Sequence, residues 1–361
     1  MRRALALAAR GLGETTPNPA VGCVVARGER VVGEGFHVRA GGPHAEVAAL
    51  RRAGLRARGA TLYVTLEPCA HRGRTPPCAP LVRDAGVARV VAAMRDPNPL
   101  VVGRGLALLR RAGIAVETGL LAGEAARLDE RFLSWVRLGR PFVLLKAALT
   151  LDGKIATSAL HSRWITSPAQ RRQARWLRRL HDAVLVGVGT ALADDPLLLP
   201  SPRTRRPFTR VVLDSRLRLP VGGRLARTAT PCTPVLVLSS APDPGRRRDL
   251  EATGVRVVEV AAEGTRVSLP AALAALGAHG VTSVMVEGGS EVLGGFLAAR
   301  LVDQVALFRA PLLLGGRGSR PAFGGPDPVE IREALRLEAV PAEPAFPWPW
   351  APRFELWRPR R

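Results

Sequence analysis

Lysine, asparagine and tyrosine are nearly missing from this chain of 361 residues. Only Lys146 and Lys154 among its 53 basic residues are lysine; Asn18 and Asn98 are the only asparagines and Tyr63 the only tyrosine. A coding bias against A/T-rich codons leaves such a pattern, raising arginine at surface positions with no ligand required. It weakens the nucleic-acid reading that the net charge of +23 invites. There is also no long basic tail, and no platform of interleaved aromatics for single strands to stack on. Four cysteines argue against a disulfide framework. No apolar stretch approaches the ~20 residues of a membrane span. The apolar part of the opening segment is six residues long, below the roughly 7–15 of a secretory core, and reads as an amphipathic helix. The expectation is a cytoplasmic protein with no membrane and no nucleic-acid partner; a homo-oligomer stays open. No Gly-x-Gly-x-x-Gly opens a βαβ unit, which argues against a Rossmann site.

What is present reads as two α/β domains, 1–139 and 140–361. In the first, strands are expected at 21–25, 30–36, 61–65 and 88–94, with helices at 44–53, 79–85, 106–112 and 124–138. The helical pattern ends at Gly139-Arg-Pro141. Beyond it, strands are expected at 142–146, 183–188, 210–214, 234–238, 255–260, 283–287 and 304–309. The Pro/Trp-rich stretch 341–352 reads as an irregular closing segment.

The strongest chemical signal lies in the first half. Pro43-His-Ala-Glu46 stands at a helix start, Glu67-Pro-Cys69 at a strand end, and Cys78 follows after an eight-residue gap. One imidazole and two thiolates from His44, Cys69 and Cys78 make three zinc ligands and leave a fourth position open, the mark of a catalytic rather than a structural site. Glu46 is the general acid/base of the zinc-deaminase pattern, which is a known one. Both cysteines are expected to precede or open helices, whose positive ends favour thiolate. A closed site with His71 as fourth ligand is the competing arrangement.

Thr16-Pro-Asn-Pro-Ala-Val-Gly-Cys23, Gly33-Glu-Gly-Phe-His37, His44-Ala-Glu46, the run from Thr65 to Cys78, and Asp96-Pro-Asn-Pro99 together resemble the bifunctional riboflavin-biosynthesis deaminase/reductase family. The resemblance implies a cytidine-deaminase-like domain that removes the 2-amino group of 2,5-diamino-6-(5-phosphoribosylamino)pyrimidin-4(3H)-one. It implies Asn18 as a substrate-contacting amide, with His37 and His71 near the ribose phosphate. Ordinary structural roles compete: Asn18 as a turn residue between prolines, His37 as a satisfied strand-end ring.

Three segments of the second half continue the likeness: Lys146 to Lys154 with Ser162 to Thr166, Asp182 to Leu198, and Val286 to Gly295. They resemble the family's dihydrofolate-reductase-like domain, which uses NADPH to reduce ribosyl to ribityl. Carried over by position, Ala148, Trp164, Thr190, Asp194, Ser215 and Gly289, Ser290, Glu291, Val292, Leu293, Gly294 and Gly295 would contact NADPH. Ser162, Arg178, Leu198 and Glu287 would contact substrate, Arg178 by its planar fork on a phosphate. Lys146 and Glu287 would be the polar groups around the reacting ribose, with Asp194 nearby. A strand-end surface lysine and core packing compete for Lys146 and Trp164. Family members usually carry an arginine three residues after Leu198; here that residue is Ser201, and either Arg203 substitutes by a loop shift or the contact is lost. Two rival readings follow: a working deaminase whose second domain is degenerate or acts elsewhere, and, in another class, a basic nucleic-acid-binding or nucleic-acid-deaminating protein.

Overall fold

The computed structural model describes residues 1–73, 75–99, 101–340 and 353–360, so the expected closing segment 341–352 lies outside the described residues. They divide into two units, 1–139 and 140 onward.

The first unit runs α1 (Arg2–Ala9), β1 (Gly22–Arg27), β2 (Arg30–Phe36), α2 (Ala45–Ala53), β3 (Thr61–Val64), α3 (Cys78–Asp84), β4 (Arg89–Ala92), α4 (Arg104–Arg111), β5 (Ala115–Thr118), α5 (Ala122–Leu128) and α6 (Glu130–Leu138). The expected hairpin turns at Gly28 and puts β1 between β2 and β3, both antiparallel to it. β3, β4 and β5 then run parallel, giving the order β2-β1-β3-β4-β5. Cys23, Val25, Leu62, Val64 and Val90 fill the core with Ala45, Ala49, Leu106 and Leu109. The alanines of α2 let the helix lie close on the sheet, which fixes its first turn against the strand ends.

The expected helix 124–138 is two helices. The break is Asp129, with φ −100 and ψ 19; its buried carboxylate accepts the Ala20 amide at 2.7 Å. A side chain that satisfies a distant backbone donor competes here with helical continuity. Strand β5 gave no signal, because most of its residues are exposed.

The second unit runs β6 (Phe142–Leu149), β7 (Lys154–Ala156), α7 (Pro168–Arg179), β8 (Ala183–Gly187), α8 (Val188–Asp194), β9 (Thr209–Leu213), α9 (Arg224–Arg227), β10 (Val235–Ser239), α10 (Pro244–Glu251), β11 (Arg256–Glu259), β12 (Ala262–Glu263), β13 (Arg266–Val267), α11 (Leu269–Ala278), β14 (Ser283–Val286), α12 (Ser290–Ala298), β15 (Gln304–Arg309), β16 (Arg320–Pro321), β17 (Leu337–Ala339) and β18 (Glu355–Pro359). Its main sheet has the order β11-β10-β9-β8-β14-β6-β15-β18-β17. The stretch from β11 to β15 is parallel throughout, and β18 and β17 close one edge antiparallel. Every residue of β8, β10 and β14 is buried, as expected of strands covered on both faces. Strand β6 runs three residues past its expected end, so Lys146 sits mid-strand between β14 and β15.

This order positions a site. From β8 the chain moves toward β9, whereas from adjacent β14 it returns past β6 to β15. Connections that leave neighbouring parallel strands in opposite directions open a crevice at their carboxyl ends, where ligands bind.

Candidate functional sites

In the first unit, three loop or helix starts converge. His44 is the N-cap of α2, and Glu46 lies in its first turn. Cys78 is the first residue of α3, after Pro77. Cys69 does not open a helix; it lies in the loop after β3. Its sulfur nevertheless faces the start of α3, accepting the Cys78 amide at 3.4 Å, so the helix dipole acts on it through space. His44 Nδ1 is 3.2 Å from Cys78 Sγ and 3.7 Å from Cys69 Sγ. One candidate ligand atom from each residue lies within 4.8 Å of the others. Tetrahedral zinc with ordinary Zn–S and Zn–N bonds sets such atoms roughly 3.5–3.8 Å apart. The donor set therefore fits zinc. His71 is not part of the cluster, which leaves three protein ligands among the described residues.

The sequence reading missed Thr75. Its hydroxyl stands 3.0 Å from His44 Nε2, which leaves Nδ1 bare toward the sulfurs when Nε2 carries the proton. A hydroxyl inside the long cysteine gap was the available signal.

The electrostatics follow from burial. Burial pushes the Glu46 carboxyl up to about 7. The hydrogen bond between the two sulfurs holds Cys69 down to about 4 and, with burial, pushes Cys78 up, so charge gathers on Cys69. The bond to Cys69 raises His44. Glu67, beside Cys69, has another task. It accepts the amides of Gly103, Gly105 and Leu106 at 3.0–3.3 Å and so caps α4.

Asn18 and His37 meet: Asn18 Nδ2 is 3.1 Å from His37 Nε2, and His37 Nδ1 is 3.0 Å from the Pro43 carbonyl. The carbonyl can only accept, so Nδ1 carries the proton and Nε2 accepts from Asn18. Burial lowers the pKa of His37, keeping the ring neutral. Both ring nitrogens of His37 are thus paired, one of them to the Asn18 amide. Its ring packs edge-on to His44, centroids 5.3 Å apart. His71 differs, with Nδ1 buried and without a hydrogen-bond partner among the described residues.

In the second unit, a cavity of about 1380 Å³ occupies the crevice. That exceeds the roughly 300–1,000 Å³ of a single small-molecule pocket and leaves room for two ligands. Ala148, Trp164, Thr190, Asp194, Ser215, Gly289, Ser290, Glu291, Val292, Leu293 and Gly295 line it, as do Lys146, Ser162, Arg178, Leu198 and Glu287. Two expected residues do not. Gly294 packs against another loop, where an added Cβ would lie 1.5 Å from the Gly324 carbonyl oxygen. Arg203 is exposed and outside the lining.

At the cavity floor lies a buried ion cluster. Arg178 grips Glu287 bidentately, Nε to Oε1 at 2.5 Å and a terminal nitrogen to Oε2 at 2.9 Å; its other terminal nitrogen donates to the Leu199 carbonyl at 2.9 Å. Three of the five N–H donors of Arg178 are thus committed, and two are left toward the cavity that it lines. Lys146 Nζ lies 3.4 Å from Glu287 Oε2 and 5.7 Å from the Phe308 ring centroid. Burial alone would raise Glu287, but Arg178 and Lys146 outweigh it and hold the carboxyl down to about 2. Asp194 pairs with Arg163 at 3.0 Å, and Trp164, 67% exposed, lies under the Arg171 guanidinium at 4.3 Å.

For a dinucleotide, the useful features are the start of α12 and its surroundings. Gly288 has φ +119, open to glycine alone. Gly289 caps α12, whose first backbone amides can meet phosphate. Arg216, Arg218, Arg224 and Arg266 also line the cavity. The sequence reading missed them because arginine is so common in this chain.

Comparisons with known proteins agree with this layout. The profile described as "Cytidine and deoxycytidylate deaminase zinc-binding region" matches residues 1–94, and "RibD C-terminal domain" matches 141–344. "Riboflavin biosynthesis protein RibD" of Bacillus amyloliquefaciens is 44% identical over 318 residues, 88% of this chain and 85% of that protein. Its namesake from Escherichia coli strain K12 is 43% identical, over 87% of this chain and 88% of that protein. The Acinetobacter baumannii RibD structure superposes with TM-score 0.87 at 37% identity, covering 100% of this chain and 98% of that one. The Thermotoga maritima structure named as a diaminohydroxyphosphoribosylaminopyrimidine deaminase/5-amino-6-(5-phosphoribosylamino)uracil reductase gives 0.84 at 36%, covering 100% and 97%. The chain belongs to the bifunctional riboflavin-biosynthesis deaminase/reductase family, in which a zinc-dependent deaminase is joined to an NADPH-dependent reductase.

Proposed function

We propose that the two units carry out consecutive steps on one phosphorylated pyrimidine. Residues 1–139 would hydrolyse the 2-amino group of 2,5-diamino-6-(5-phosphoribosylamino)pyrimidin-4(3H)-one, and the remainder would reduce the ribosyl group of the product to ribityl. The observation that carries this reading is a pair of unlike sites, the His44, Cys69 and Cys78 donor set in the first unit and a cavity with room for two ligands in the second; the two buried carboxylates agree with it. Glu46 is pushed up to about 7 and Glu287 held down to about 2. A carboxyl near neutrality can take and return a proton; one clamped by two cations cannot.

In the first unit, His44, Cys69 and Cys78 would hold zinc. When bound, zinc supplies the Lewis acidity that makes water a nucleophile at neutral pH. Glu46 takes the proton from the attacking water and delivers it to the amine nitrogen, which leaves as ammonia. Asn18, oriented by His37, holds the pyrimidine edge, and Nδ1 of His71, unpaired among the described residues, is available to the substrate. Thr75 keeps His44 in the ligating tautomer.

In the second unit, NADPH supplies the hydride when bound. Glu287 stays ionised and accepts hydrogen bonds from ribose hydroxyls. Lys146 keeps a cation beside them, and Arg178 fixes Glu287 in place. Thr190, Ser215 and the start of α12 would receive the dinucleotide. The partners are small molecules. With Arg178 in a buried ion cluster and Arg210 fully buried in β9, donating to the Thr228 and Thr233 carbonyls, part of the basic excess is structural. That favours no nucleic-acid partner. Four free cysteines and an NADPH requirement favour the cytoplasm.

The test is to incubate the purified chain with the diaminopyrimidine ribotide, with and without NADPH, and weigh the products. Deaminated product alone, then ribityl product once NADPH is added, is the expected pair. Glu46→Ala should abolish ammonia release while zinc stays bound. Lys146→Ala should spare ammonia release and cripple NADPH oxidation on the deaminated intermediate. Loss of ammonia release in Lys146→Ala would overturn the assignment of separate sites.

A further inference from the structure

We propose that Arg175 is the phosphate ligand of the reductase cavity, taking the part that relatives give to an arginine at the position of Ser201. This rests on the reading that the reductase substrate carries a 5′-phosphate. Helix α7 presents Arg171, Arg175 and Arg178 at spacings of four and three, hence on one face, and all three line the cavity. Two of them already spend donors inside the protein. Arg171 donates to the Thr166 carbonyl and lies over Trp164. Arg178 spends three of its five N–H donors on Glu287 and the Leu199 carbonyl.

Arg175 is different. Its side chain is half-buried, yet it has no hydrogen bond, ion pair or ring contact among the described residues. Five N–H donors partly withdrawn from water without an acceptor are costly, and an oxyanion is the ligand that satisfies them best, two at a time. The carboxylates among the lining residues have other partners: Glu287 is held by Arg178 and Lys146, Asp194 by Arg163 and Glu291 by Arg266.

Position completes the case. The Ser201 amide donates to the Arg175 carbonyl at 3.1 Å, so residues 175 and 201 are neighbours across the loop of Leu198, Leu199 and Pro200, which walls the cavity. Arg203, the nearer arginine in sequence, is exposed and outside the lining. The chain has thus moved the charge onto the helix. The ligand is a phosphate monoester, and two sources could supply it: the substrate's ribose phosphate, to which we assign it, or the 2′-phosphate of the dinucleotide.

The experiment uses the full chain, Arg175→Gln, Arg203→Gln and the double variant R175Q/S201R. NADPH oxidation is followed with the deaminated phosphoribosyl intermediate, and ribose 5-phosphate binding is measured by calorimetry without turnover. Losing a charge-assisted bidentate contact should raise the KM for the intermediate about 10- to 100-fold, with the KM for NADPH and ammonia release unchanged. Ribose 5-phosphate binding should weaken by a similar factor, Arg203→Gln should match the parent, and S201R should restore most of the loss. An unchanged KM and unchanged ribose 5-phosphate affinity in Arg175→Gln would overturn the proposal, as would a rise confined to the KM for NADPH. If the parent fails to oxidise NADPH with this intermediate while ribose 5-phosphate binding still depends on Arg175, the substrate reading falls and the phosphate site stands.

Discussion

Glu46 and Glu287 are both almost fully withdrawn from water, one in each unit, and their surroundings drive them apart. Around Glu46 burial dominates and the carboxyl rises to about 7. Around Glu287 the Arg178 and Lys146 cations override the same burial and hold it near 2. On the proposed reading, one site moves a proton and the other keeps a charge still. The surroundings differ in construction as well. The first site gathers its groups at two helix starts and one loop, within a short stretch of sequence. The second draws on the carboxyl ends of β6, β8, β9 and β14, spread over most of its unit.

If burial without compensation marks Glu46 and a clamp marks Glu287, the same neutralising change should act oppositely at the two. Glu287→Gln leaves two buried cations without their anion. That should cost about 3–5 kcal/mol of stability, seen as a clear fall in the thermal midpoint, and should reduce NADPH oxidation by about 100-fold or more. Glu46→Gln should lower ammonia release by about 10²–10⁴-fold and leave the midpoint nearly unmoved. Equal midpoint losses would erase the distinction. A smaller effect is expected at Thr75. Thr75→Val removes the partner of His44 Nε2 and should weaken zinc affinity about 10-fold or somewhat more, read by competition with a chelating dye. No loss would mean that the hydroxyl does not set the tautomer. The smallest is at Asp129, which burial raises to about 7. An aspartate near 3.9 when unfolded and about 7 when folded binds more protons in the native state between those values. Its contribution therefore falls as pH rises through that window and is fully present below it. Asp129→Asn should flatten the stability profile between about pH 4 and 7; an unchanged slope would place the cause elsewhere.

The contrast in construction also explains what the sequence made legible. Zinc chemistry demands His and Cys at tight spacing, so His44, Cys69 and Cys78 stood out before any fold was known. The strands of the second sheet were legible because parallel strands buried on both faces are continuous apolar runs. Exposed β5 carried no such signal, and Asp129 broke a helix through a bond to Ala20, a partner 109 residues away that no local pattern contains. In the cavity, position-by-position likeness found most of the lining but misjudged occupancy. Arg178 looked wholly free until Glu287 was seen to take part of its fork, and Gly294 looked like a ligand-facing glycine until Gly324 was seen against it. Arg175 was invisible for a plainer reason: among so many arginines, only the absence of a partner sets one apart.

The central claim, that metal chemistry belongs to one unit alone, can be tested on a single preparation. Zinc is quantified per chain and stripped with a chelator, and both half-reactions are then assayed with their own substrates. About one zinc per chain, loss of ammonia release on stripping with recovery on zinc addition, and unchanged NADPH oxidation of the deaminated intermediate is the result expected. A chain that releases ammonia without metal, or that loses both activities together on stripping, would contradict it.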